Sequence, residues 1–317
     1  MLFGIAAALT WALDTVILGV ALGGGVFMAT AQAIALAAFT STFLHDASSA
    51  VFAFSYMGIR HKLGMTRKVL CSRQGLVIIG AALIGGPIGM TGYVMAINNI
   101  GPAYTAAISA FFPAYGAVLA TIFLKERMRP YQWVGLIVCL AGVAALGYTP
   151  AVGVPGSWTI GIIGALVCVF GWGTEAVIID WGLRNASVDD ECAMQIRQTT
   201  SALTYAIVIL PLLGGWNCVV DAFTSPAMPV IAVAALLGTA SYLCYYKAIA
   251  QIGASRAMAL NITYSAWAIP FSLIMLGTMP DVRGIVCAVV IILGAITAAA
   301  DFRTLLGKDA VAEQDAA

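Results

Sequence analysis

Two tryptophan–acid pairs share one spacing: Trp11-x-x-Asp14 and Trp172-x-x-Glu175, each deep inside a long apolar run. Residues three apart lie on one helix face, so each indole shares a face with a carboxylate. A carboxylate inside a membrane span costs roughly 2.5–3.5 kcal/mol on insertion scales, so such groups face a bundle interior or a water-filled cavity. Buried carboxyls can take up and release protons near neutral pH. An aromatic face beside an acid can also cradle a cation or a planar ring. Asp14, Glu175, Trp11 and Trp172 are therefore the leading candidates for a substrate- or proton-binding site.

Other polar residues fall inside or beside apolar runs. Lys247 lies in "YYKAI", where its stem can snorkel to water; pairing with Glu175 or with an anionic substrate is the sharper alternative. Tyr93 and Tyr245 lie 152 positions apart, and Asn98, Asn99 and Asn261 sit at or within apolar runs. A cavity wall and interhelical hydrogen bonding both suit these residues. Arg197 and Arg256 are expected to anchor helix ends, and Asp180 to pair with Arg184 four residues on. His45 and Asp46 fall within or at the start of an apolar run, and a lone histidine makes a poor metal site. The seven cysteines form no C-x-x-C pair and read as small packing residues. No metal, haem or other cofactor is expected. With no P-loop, no ATPase partner is evident either.

The elements that position these residues are membrane-spanning helices. The 317-residue chain is 62% hydrophobic and 9% charged, where soluble domains carry about 25% charged residues. Its apolar runs are continuous and reach the ~20 residues that a helix needs to cross the bilayer. Ten candidate spans follow, at roughly 2–22, 36–59, 74–97, 102–123, 131–149, 158–182, 193–213, 228–250, 255–277 and 282–302. Residues 23–35 either lengthen span 2 or form an interfacial helix before it. The first run reads as a retained helix rather than a cleaved signal.

Lysine and arginine set the expected orientation. Arg60, Lys62, Arg67, Lys68 and Arg73 crowd the connection between spans 2 and 3. Lys125, Arg127 and Arg129 follow span 4, Arg184 follows span 6, and Arg303 and Lys308 follow span 10, while the alternate connections carry only Arg283. By the positive-inside rule both termini are cytoplasmic, in a cell (inner or plasma) membrane. Asn185-Ala186-Ser187 would then face the cytoplasm, where the glycosylation pattern means nothing. The net charge of +1 implies no nucleic-acid partner.

The chain also repeats itself. The Trp-x-x-acid pairs are 161 positions apart, whereas Ile100-Gly101 and Ile252-Gly253, Leu124 and Leu276, and Gly142 and Gly294 are each 152 apart. His45 and Ser49 precede Arg197 and Ser201 by the same 152. The first half thus holds about nine extra residues, around "GGGVFMATAQ". Five spans per half invert the second half relative to the first, an arrangement common in secondary transporters with a site near the midplane. The expected fold is an all-α polytopic membrane protein with ten transmembrane helices in two inverted five-helix repeats. The repeats would occupy 1–150 and 155–303, followed by a cytoplasmic tail at 304–317.

The stretch "ISAFFPAYGAVLATIFLKERMRPYQWVGLIVCLAGVAAL" (108–146) resembles the end of an EamA repeat of the drug/metabolite transporter superfamily. That pattern has a helix-4 proline, then L-x-E-R, then a glycine-rich fifth helix. "YYKAIAQIGASRAMALNITYSAWAIPFSLIMLGT" (245–278) resembles the matching part of a second repeat, with Thr278 where the first has Glu126 and Ser265 where it has Pro113. The resemblance implies a ten-helix carrier working by alternating access, and would put some of the tyrosines and asparagines on its cavity wall. Small multidrug-resistance proteins of that superfamily are similar in using a first-helix acid for protons and cationic drugs. Glu126 is expected to pair with a neighbouring Arg or Lys.

The leading expectation is a secondary transporter exporting a small polar metabolite or drug-like cation, with protons as the coupled ion. The alternative is uncoupled export of amino acids, aromatic ones included. A channel or a membrane-embedded enzyme or lipid-handling protein is the other class. The enzyme needs nucleophile, base or ligand sets that this chain does not offer.

Overall fold

The protein is described by a computed structural model over residues 1–147, 157–185, 188–277 and 279–300. Arg303, Lys308, the tail at 304–317, Ala186, Ser187, Thr278 and the junction near 150 lie outside the described residues. The described residues form helices and no strands. Eight helices are long and apolar enough to cross a membrane: Leu2–Leu22, Arg73–Gly101, Pro130–Gly147, Trp158–Arg184, Asp190–Leu213, Ala227–Ile252, Ala254–Leu276 and Val282–Ala299. These are spans 1, 3, 5, 6, 7, 8, 9 and 10. Span 4 is the shorter apolar helix Ala107–Phe123. Span 2, Ala31–Ile59, has 29 residues, about 44 Å at 1.5 Å per residue; His45, Asp46 and its serines dilute its apolar character. The Thr30 hydroxyl caps it by accepting from the Ala33 N–H at 3.0 Å. Residues 31–35 thus extend span 2, and Gly25–Met28 form a separate 3₁₀ turn before it.

Several spans are interrupted where the backbone must bend. Span 3 passes from α-helix to a π turn at Ile84–Ile88, which contains Pro87; a proline has no N–H for the carbonyl one turn back. Span 7 has a second π turn, Tyr205–Ile209, just before Pro211. Gly101 and Gly253, equivalent in the repeat, take nearly the same left-handed backbone, φ 79° and ψ 164° against φ 84° and ψ 163°. Span 9 breaks again after Ala254–Asn261 and resumes at Tyr264–Leu276. Span 4 breaks at the matching place, between Ser109 and Phe112.

Packing follows the repeat. Span 1 lies along span 8, span 3 along span 6, span 2 against span 7 and span 5 along span 10. Exchanging the halves interchanges the first two pairings and maps each of the other two onto itself. The two halves are interleaved, so residues duplicated in sequence meet across the centre of the bundle. Span 5 and span 10 approach closely enough that a Cβ on Gly294 would lie 2.5 Å from the Cys139 nitrogen.

The end of the bundle rich in lysine and arginine is clamped by ion pairs between the halves. Lys62 reaches Asp189 at 2.8 Å and Glu191 at 2.6 Å, and Tyr56 donates to Glu191 at 2.8 Å. Burial works against the Lys62 charge, but hydrogen bonds to Asp189 and Glu191 outweigh it and hold the ammonium above the ordinary lysine range. Burial likewise pushes Asp189 up, while the bond from Lys62 holds it below the usual carboxylate range. The Asp189 contribution is therefore present above the ordinary carboxylate range and lost as pH falls through its depressed value. The Lys62 contribution is present below the ordinary lysine range and lost only in strong alkali.

Cys192 reports on this clamp. It is fully buried, its N–H donates to Asp189 at 3.1 Å, and Thr66 reaches its sulfur at 3.5 Å. In a Cys71→Ser background, Lys62→Met should speed alkylation of Cys192 roughly two- to five-fold, the equivalent of about 0.4–1 kcal/mol. An unchanged rate would show that the ion pairs do not hold this end closed.

Candidate functional site

The centre of the bundle holds a buried chain of charged and polar side chains, built by spans 1, 2, 6, 7 and 8. From the first half, Asp14 Oδ1 lies 3.2 Å from His45 Nε2, and His45 Nδ1 lies 3.3 Å from Asp46 Oδ1. From the second, Arg197 Nε donates to Glu175 Oε1 at 2.9 Å. Arg197 joins the two pairs, since its Nη1 lies 3.8 Å from Asp46 Oδ2 and its guanidinium stands 4.5 Å above the Tyr242 ring.

The arrangement is two-fold in its chemistry. Asp14–His45 in one half corresponds to Glu175–Arg197 in the other, each pairing an acid with a base. Two further bonds cross between spans 2 and 7. Ser201 donates to Asp46 Oδ2 at 2.6 Å, and Gln198 Nε2 donates to Ser49 at 2.7 Å. Since 152 positions separate Asp46 from Gln198 and Ser49 from Ser201, these are the same bond made twice. Arg197 Nη1 also donates to Gln198 at 2.7 Å, and Ser49 meets Thr239 of span 8 at 2.7 Å.

Glycine makes the room. A Cβ on Gly85, in the π turn of span 3, would lie 1.8 Å from Glu175 Oε2. One on Gly238 of span 8 would lie 2.7 Å from His45 Nε2 and 3.2 Å from Asp14 Oδ2. Each acid–base pair thus presses against bare backbone of the span packed beside it.

The tryptophans frame the chain on both sides. Trp11 stands edge-on to His45, Tyr242 and Tyr264, with centroids 6.3, 5.3 and 6.5 Å away. Trp172 meets Tyr93 at 5.4 Å and Phe112 at 5.7 Å. Tyr264 and Phe112 are repeat equivalents placed just after the breaks in spans 9 and 4. The broken helices therefore abut both tryptophans.

The candidates divide accordingly. Asp14, Glu175, Trp11, Trp172 and Tyr93 converge on or around the central chain. Tyr245 packs instead against the core cluster that contains Ala176 and Met258, and Tyr242, one turn earlier, meets Trp11. Asn261 ends the first helix of span 9, and its buried Oδ1 has no hydrogen-bond partner. Lys247 is exposed, its ammonium 4.9 Å from the Phe3 ring. It makes no pair with Glu175. Asn98 is exposed.

Arg197 departs from the expectation of a helix-end anchor. It is 4% exposed and pairs with Glu175, because span 7 starts at Asp190 and carries it two turns inward. His45 and Asp46 are likewise central rather than incidental, both 5% exposed. Asp180 does pair with Arg184, at 2.6 Å, and Arg184 reaches Glu126 at 2.5 Å. Glu126 also accepts from the Ser255 hydroxyl at 2.5 Å, and Asp180 from the Ala254 N–H at 2.9 Å. The L-x-E-R corner thus caps the helix that begins after Gly253.

Comparison with known proteins agrees with this architecture. The EamA-like transporter family pattern matches residues 1–148 and again 159–299. Protein LicB of Haemophilus influenzae is 31% identical over 192 residues, covering 60% of this chain and 63% of LicB. The match thus spans less than two thirds of that relative's length. A crystal structure of a protein 20% identical in sequence superposes with a TM-score of 0.64 over 97% of both chains, which shows a common fold. With the pattern matched twice along a helical chain of membrane-spanning length, the protein belongs to the EamA-like transporter family and is a multi-pass membrane protein.

Proposed function

We propose that the protein is a secondary carrier that exports a small cationic or polar metabolite in exchange for protons by alternating access. The observation that supports it is the duplicated acid–base pair, Asp14–His45 and Glu175–Arg197, buried where the two halves interleave. Packing alone needs no charges there, and keeping them costs several kcal/mol per unpaired ion. The central chain carries three carboxylates against His45 and Arg197, so a substrate cation and a proton can compete for the same surplus negative charge. The flanking indoles and phenols add cation-binding faces.

By the positive-inside rule the basic end faces the cytoplasm, with both termini there, in a cell membrane. The Lys62 clamp and the Glu126–Arg184–Asp180 corner then close the cytoplasmic side. The repeat equivalents of Asp180 and Glu126 are Gly19 and Thr278, so the acidic corner is carried by one end alone. Repeat units at 1–150 and 155–303 would rock against each other around the central chain.

Proteoliposomes carrying the full chain test the reading. A panel of primary and quaternary ammonium compounds should drive proton movement in the opposite direction, and flux should rise with an imposed pH gradient. Asp14→Asn and Glu175→Gln should each lower gradient-driven flux at least tenfold. Flux indifferent to the gradient would remove coupling, and full activity in both variants would remove the site. Flux of neutral aromatic amino acids instead of ammonium compounds would favour the uncoupled amino-acid exporter.

A further inference from the structure

The two halves of the central chain are equivalent in position but not in proton chemistry. In the second half the bond to the acid is made by a guanidinium, which stays protonated at every accessible pH. In the first half it is made by an imidazole whose two ring nitrogens each face a carboxylate oxygen, Asp14 at 3.2 Å and Asp46 at 3.3 Å. Two nitrogen–oxygen hydrogen bonds need two protons. A cationic imidazole supplies both. A neutral imidazole between two ionised carboxylates supplies one and leaves a bare nitrogen facing an acceptor.

We propose that His45 is the proton-carrying site of the transporter, with Asp14 and Asp46 as its two acceptors and Arg197–Glu175 as its fixed-charge counterpart. The inference rests on the carrier reading above and names its coupling group. When the imidazolium releases one proton to water, one of its two bonds must break. If the bare nitrogen is Nε2, the bond lost is the one joining span 1 to span 2. The Arg197–Glu175 bond joining spans 7 and 6 survives the same event. Proton binding therefore acts on one half only, one proton per site.

The surroundings of His45 are consistent with a confined switch. Span 1 presents Asp14 and Trp11, span 2 presents Asp46, and span 7 presents Arg197 and Ser201. Span 8 presents the bare backbone of Gly238 and the ring of Tyr242, which lies under Arg197. Glu175 of span 6 is held by Arg197, and Tyr205 of span 7 is fully buried. Among the described residues, no other histidine lies in a span.

The chain has two histidines, so His61→Gln protein labelled with 15N-histidine and held in lipid nanodiscs gives one imidazole spectrum. Expected are two ring N–H signals at low pH, loss of one in a single step across a pH series run from acid to alkali, and loss of the doubly protonated form in Asp14→Asn. A ring that keeps one protonation state throughout overturns the proposal, as does a step that Asp14→Asn leaves unmoved. His45→Arg, which copies the second half, guards against misfolding. It should fold and bind one proton fewer by back-titration over the same range, and an unchanged count also overturns the proposal. Proton binding with no transport of any ammonium compound would sink the cation-carrier reading while leaving His45 as the proton-binding group.

Discussion

Arg197→Met should lower unfolding stability by about 3–5 kcal/mol, the loss expected when one partner of a buried ion pair is removed. The reason is local and double. Arg197 holds Glu175 at 2.9 Å and stands 3.8 Å from Asp46, so its removal leaves Glu175 without its base and Asp46 with less compensation. Adding Glu175→Gln should recover much of the loss, because the stranded charge goes with the cation that balanced it. The coupling between the two substitutions should be about 1–3 kcal/mol, read from unfolding of the purified protein in mixed micelles. Additive effects would mean that the pair contributes nothing as a pair.

The second large effect requires no change of charge. Gly85→Ala adds a methyl group at a point 1.8 Å from Glu175 Oε2, where it cannot coexist with the present carboxylate position. The carboxylate must swing off Arg197, so gradient-driven flux should fall at least tenfold, as in Glu175→Gln. Overpacking of this kind costs about 1–3 kcal/mol, so folded protein should still be recovered. Gly80→Ala in the same span is the control. Nothing lies within 4 Å of its added Cβ, and transport should be unaffected. Equal loss in both variants would place the effect in helix flexibility rather than in the displaced acid.

Much of this site was legible because it is duplicated. The Trp-x-x-acid pairs stand out in apolar runs, and the 152-residue offset already links His45 and Ser49 to Arg197 and Ser201. What composition hides is depth. The stretch "DDECAMQIRQTTS" is polar enough to read as an approach to the membrane, yet its first residue, Asp189, caps a helix that runs through the rest. Arg197 thereby reaches the core, where its charge is balanced by an acid from span 6. Asp46 and Gln198 do not pair by sequence, since an acid and an amide look unlike, although each bonds the other half's serine. Tyr245 matches Tyr93 across the repeat, but the tyrosine that meets Trp11 lies three residues earlier on the helix. Lys247 differs again: a lysine in an apolar run tells only that its tip must reach water, and its ammonium lies exposed beside Phe3.

The π turn at Pro87 gives a further reason why span 3 resists a simple reading. One surplus residue in a helical turn rotates all that follows by about 100°, so the span is two helices written out of phase. A helical wheel fitted to residues 73–83 points the wrong way for residues 89–100. With Pro87 in place, Gly85 and Gly89 turn toward the acid and indole of span 6. Smoothed into uninterrupted α-helix, the same letters would aim a different row of side chains at Glu175 and Trp172. The proline is thus less a kink than a change of reading frame in three dimensions.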